Sequence, residues 1–286
     1  MSKDTSDSAP TNEAVDPELK AIHFAAMSLY NRETAILQAN RTSIDSINAI
    51  NFLTGQATIF ADSALFLMED VRQPLNVPCA LLRTCLEAQA RANHIIAANG
   101  AKRENLAHEL VELMHVSHEY YEKRVIQMGK NMIPNESKLL PRDRPYFAPL
   151  KKYLWKTDTS NLKKLKKQYD DINRKWNYGT VIERAKFGDP ASLNRSEAQP
   201  LQPGLYLVYL QCCAFVHSDP ASLKHQQLLT PVSVVHTIVL AEVISIFCFF
   251  VALGKEMDLD LINVKKRIIA FDVNEKVLPK KRLPRS

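Results

Sequence analysis

Glycine is scarce in this chain, at 7 of 286 residues, where an ordinary protein carries about 7%. Tight turns between strands draw on glycine for positive φ, so the shortage works against a sheet protein and for a helical one. Alternating apolar–polar runs bounded by turn residues are missing as well. Cysteine offers no framework: Cys79, Cys85, Cys212, Cys213 and Cys248 are odd in number and show no CxxC spacing. That argues against disulfide scaffolding or a zinc knuckle, and for reduced thiols in a cytoplasmic core. The opening "MSKDTSDSAPTNEAVD" is polar and acidic, so a secretory signal is not expected.

Apolar residues are plentiful, at 46%, enough for a large core without disulfides or metals. The longest apolar stretch, residues 231–255, could span a bilayer by length, yet His236 and Glu242 lie inside it. A central carboxylate costs about 2.5–3.5 kcal/mol on insertion, and Thr230-Pro231 supplies a soluble-style helix start. The stretch is therefore expected as a buried core helix, and a membrane is not among the expected partners.

Helical periodicity covers most of the rest. One pattern runs over 17–50, a second over 51–73 before Pro74, a third over 77–99 and ends at Gly100, and a fourth over 102–131. The fold expected is all-α: a single bundle of six to nine helices over 16–275. An irregular basic insertion with short helical pieces is expected at 140–200, a disordered acidic tail at 1–15 and a basic tail at 276–286. The string "DPASL" occurs at 189–193 and 219–223, which reads as a reused helix start, with aspartate as N-cap and proline behind it.

The net charge is +6, and residues 151–176 hold nine basic against three acidic side chains. Lys163, Lys164, Lys166 and Lys167 are interleaved there with Tyr153, Trp155, Tyr169 and Trp176. Lysines neutralise phosphates and aromatics stack on bases, as on a nucleic-acid surface. The same run also suits the solvated face of an amphipathic helix.

Two helices place polar groups among apolar ones. Arg83, Glu87 and Arg91 recur at spacing four, and so do Tyr209, Cys213 and His217, each set on one helix face. Asp219-Pro220 opens a new helix directly behind His217, so the imidazole stands at a helix end, whose partial negative charge favours its protonated form. Arginine matches phosphate or carboxylate with a planar fork, and histidine transfers protons near neutral pH. The set could bind an anion, or it could be an ion pair that only fixes helix register.

Arg83-xxx-Glu87 followed by Tyr209-xxx-Cys213-xx-Val216-His217 resembles an uncharacterised bacterial family of helical proteins, known only as a domain of unknown function. Its usual pattern is Arg-xxx-Glu, then Tyr-xxx-Ser-xx-Val-His-Gly. Cys213 replaces the serine and Ser218 the glycine. The resemblance spans about residues 50–255 and implies a helical bundle without an assigned reaction.

Two further patterns have less context. Arg103 to His108 fits an Arg–His spacing used by helical endonucleases, and Glu112-xx-His115 is half of a di-iron motif whose second half is missing. No metal or cofactor is expected. The reading is an intracellular protein in which Arg83 holds an anion, Glu87 orients it and His217 handles protons. Tyr209, Arg91 and the four lysines bind a phosphate-bearing ligand, either RNA or a small molecule. The alternative is a scaffold protein in which the set is structural.

Overall fold

A computed structural model describes residues 17–40, 44–68, 76–132, 140–142, 144–184, 208–213, 231–257 and 259. Both tails, His217, the two "DPASL" strings and most of a weaker helical pattern over 258–274 lie outside the described residues. Within them the chain is helical and without strands: α1 (Pro17–Ala39), α2 (Asp45–Met68), α3 (Asn76–Ile96), α4 (Gly100–Met132), α5 (Arg144–Lys156), α6 (Leu162–Trp176), α7 (Tyr178–Arg184), α8 (208–213) and α9 (Pro231–Ala252).

The pattern expected as one helix over 17–50 is two. α1 ends at Ala39 and α2 starts at Asp45, with residues 40–44 between them. Four of those five residue types lower helix propensity, because Asn and Ser compete for backbone hydrogen bonds and Thr and Ile are β-branched. Asp45 then places a carboxylate in the first turn of α2, where the helix dipole favours it. Gly100, at φ 51°, lets the chain turn from α3 into α4 with a backbone conformation that other residues resist.

α9 is the centre of the bundle, packed against α1, α2 and α3. It is apolar all round, so it must be covered on every side, and Phe249, Phe250, Ile238, Ile244 and Ile246 are all fully buried. Each such side chain contributes about 1.5–3 kcal/mol. Ala57, Ala61 and Ala64 on α2 are also buried, and their small size suits the close packing of α2 with its neighbours. Thr54 Oγ1 donates to the Ser245 carbonyl at 3.0 Å, joining α2 to α9. α9 ends in a Schellman motif: Lys255 N donates to Phe250 O, Gly254 N donates to Val251 O, and Gly254 takes φ 66°. Ser233–Ala252 is long and apolar enough to cross a membrane, and 89% of its most apolar window is buried inside the bundle.

The segment expected as a basic insertion forms α5, α6 and α7. α6 packs on α4, and α7 on α3. Its buried face is Leu165, Tyr169, Ile172 and Trp176, at spacings of four, three and four, which is the stripe a docked helix needs. α5 is held less firmly, with Leu154 its one buried side chain.

Candidate functional site

The Arg83–Glu87–Arg91 ladder of α3 meets Tyr209 of α8. Glu87 is the hub. Arg83 Nε donates to Glu87 Oε1 at 3.2 Å, and Tyr209 Oη donates to the same oxygen at 3.1 Å. Arg91 Nη2 lies 3.7 Å from Glu87 Oε2, and Arg91 Nε donates to the Trp176 carbonyl at the end of α6. The Arg83 guanidinium stands over the Tyr209 ring, 5.5 Å from its centroid, an arrangement in which the ring's negative face attracts the cation. Below it, the Tyr178 ring lies 4.1 Å from that of Tyr209.

Local packing explains why these groups meet. Leu82, Cys85, Leu86 and Ala88 bury the opposite side of α3, which turns positions 83, 87 and 91 toward α8 and the end of α6. α8 is drawn to α3 by Cys212, buried and hydrogen-bonded to Cys79. Cys213 is half-buried, within hydrogen-bond reach of Tyr209.

The ladder is not sealed. Side-chain exposure is 31% at Arg83, 22% at Glu87 and 23% at Arg91, more open than their place among apolar residues suggests. A helix face at the rim of a bundle can keep charges partly wet, which lowers their desolvation cost. The phenol of Tyr209 titrates well above its ordinary range, first because burial penalises phenolate and next because Glu87 repels it. Tyr178 is pushed up by burial in the same way. Both phenols stay protonated near neutral pH.

Charge and geometry together define what the site can do. Two guanidinium groups face one carboxylate, so the described cluster keeps one positive charge in excess. Arg83 uses Nε on Glu87, and a guanidinium has five N–H donors, so its Nη edge can take two oxygens of an anion. Tyr209, Arg83, Glu87 and Arg91 are thus brought together as the sequence suggests. His217, expected to share this cluster, lies outside the described residues.

The four lysines are set apart from the ladder. Lys163, Lys164, Lys166 and Lys167 are exposed on the side of α6 away from its buried face, fanned over about 160° at 100° per residue. Lys166 pairs with Asp170 at 2.5 Å. At about 1.5 Å rise per residue, they lie roughly 14–20 Å along α6 from Trp176, whose carbonyl holds Arg91. Arg103, of the Arg–His spacing, caps the end of α3 by donating to the carbonyls of Ala98 at 2.9 Å and Ile96 at 3.2 Å. Among the described residues no cluster of His, Cys, Asp and Glu could hold a metal ion.

A second polar group lies in the core, and sequence spacing gave no sign of it. His23 of α1 hydrogen-bonds through Nδ1 to Glu242 Oε2 at 2.6 Å and approaches Asp62 Oδ1 through Nε2 at 3.3 Å. His23 and Glu242 are buried, while the Asp62 side chain is 60% exposed. Burial pushes the Glu242 carboxyl up to about 7, against the pull of His23. Burial alone would lower His23, but the hydrogen bond and charge of Glu242 outweigh it and its pKa is raised. Glu242, the carboxylate inside the apolar stretch 231–255, is thus hydrogen-bonded to His23. The two residues are 219 positions apart, beyond the reach of any local pattern.

Comparison with protein-family models, with curated proteins and with solved structures finds no match for this chain.

Proposed function

We propose that the protein binds a phosphate-bearing ligand, RNA foremost, at the Arg83–Glu87–Arg91–Tyr209 cluster. The excess positive charge of that partly exposed cluster carries the reading, because an anion is what would balance it. Glu87 and Tyr209 position Arg83, whose fork meets the phosphate. The distance from the ladder to the α6 lysines supports a polymer: a small phosphate would touch only the ladder, while a single strand could follow both. The motif resemblance adds the expectation of an intracellular bacterial protein and brings no reaction with it. Cleavage is the extension of the reading, with His217 as the proton-handling residue.

One observation favours the scaffold alternative. Glu87 already accepts from Arg83 and Tyr209, so the set can satisfy its own partners.

Incubating the purified protein with total RNA, beside His217→Ala, separates these readings. Retention of RNA at low salt is expected for both proteins, weakening steeply as salt rises. Fragments that form with the parent and not with His217→Ala would establish cleavage. RNA that is neither retained nor cut would leave a small phosphate ligand or plain architecture.

A further inference from the structure

Among the described residues, seven of the seventeen large apolar side chains left exposed lie on α5 and the end of α4. On α4, Val125, Met128 and Met132 recur at spacings of three and four, and on α5 so do Tyr146, Leu150 and Tyr153. All six are 46–81% exposed. Each trio forms one stripe along its helix. The two helices touch where Leu154 rests on Gly129; a Cβ there would stand 3.0 Å from Leu154 Cδ1, so the missing side chain admits the contact. A stripe at this spacing normally docks on a core, yet here it faces outward.

The charge on α5 is of one sign. Residues 144–156, "RPYFAPLKKYLWK", hold four basic and no acidic side chains. Lys156 is exposed on α5 at the edge of the stripe and Lys152 farther round the helix, and Arg124 is exposed on α4. Lysine and arginine around exposed tyrosine and aliphatic side chains form the composition of an interfacial helix. Tyrosine suits the headgroup level because its body is apolar and its tip polar.

We propose that α5 and the end of α4 form a docking surface for an anionic lipid bilayer, lying in its headgroup region without crossing it. Charge complementarity selects anionic headgroups. The aliphatic side chains select lipid over nucleic acid, because Val125, Met128, Met132 and Leu150 have no ring to stack on bases and no donor for phosphate. The apolar helix α9, which the sequence weighs as a membrane segment, plays no part: it is buried, and the surface here lies on other helices. The contact is peripheral and reversible, as expected for a short interfacial helix helped by basic residues.

The test is co-sedimentation of the full-length protein with vesicles of phosphatidylcholine, alone or mixed with phosphatidylserine. Binding to the mixed vesicles is expected, falling with salt and nearly absent on phosphatidylcholine alone. Tyr146→Ser/Leu150→Ser/Tyr153→Ser should lower partitioning about tenfold or more, since the insertion of apolar area is lost. Lys152→Gln/Lys156→Gln should lower it by a similar factor on mixed vesicles. Circular dichroism and the unfolding midpoint, read alongside, should match the parent because every changed side chain is exposed. No sedimentation with mixed vesicles at low salt, or parental binding by a folded triple variant, would overturn the proposal. A parent that ignores vesicles, with RNA retention lost in the triple variant, would overturn it in favour of nucleic acid.

Discussion

Glu242 lies in the middle of the most apolar of the described helices, and burial is what sets its proton affinity. Its carboxyl is raised from 4.5 to about 7. Between those values the folded chain keeps a proton that the unfolded chain has released, so stability falls as pH rises through that window. His23 acts in the same direction: its pKa is raised above 6.5, so its contribution is complete below that value and lost as pH rises through the folded one. At about 1.4 kcal/mol per unit, the Glu242 shift amounts to a loss on the order of 3 kcal/mol. Glu242→Gln keeps the shape and removes the titration. Urea midpoints taken between about pH 5 and pH 8 should fall more for the parent than for Glu242→Gln. Parallel curves would show that the core pair does not titrate in this range.

Among the elements, the four lysines of α6 and the arginine ladder of α3 can be tested separately. The lysines ride on a helix whose other face is docked on α4, so changing them touches no packing. Replacing Lys163, Lys164, Lys166 and Lys167 with glutamine should weaken RNA binding and flatten its salt dependence by about 0.7 in slope per lost contact to a single strand. Stability should move by about 0.5 kcal/mol or less. The affinity of a small anion such as inorganic phosphate should not change, because the ladder lies a helix length away. An unchanged salt slope would remove α6 from the nucleic-acid surface.

Elements were also the most legible level of the sequence. Long stripes at helical spacing, scarce glycine and apolarity on every side of α9 announced a helical bundle with a buried centre. The break at 40–44 was not visible, since apolar periodicity continues across it and only weak propensities mark the end of α1. On the site, spacing four placed Arg83, Glu87 and Arg91 on one face and so anticipated the ladder. It could not show that Tyr178 lies under Tyr209, or that the Trp176 carbonyl holds Arg91, because those contacts are made between helices. His23 with Glu242 is the extreme case, a pair created only by the packing of α1 on α9.

The molecule as a whole is a bundle whose centre is buried and whose arginine ladder lies partly exposed at the rim. α9, with α1, α2 and α3 around it, supplies the stability, while α5, α6 and α8 bring charge and aromatic rings to the surface. This division permits a direct test at Arg83, whose side chain is partly exposed and whose loss leaves Glu87 still bonded to Tyr209 and near Arg91. The measurement is fluorescence anisotropy of a labelled single-stranded RNA, titrated at low salt with the parent and with Arg83→Gln, each checked by its melting curve. Loss of a charge-assisted bond worth about 1.5–3 kcal/mol predicts an affinity at least about tenfold weaker, with melting nearly unchanged. Equal affinity in a folded Arg83→Gln protein would contradict the assignment of the ladder as the anion site.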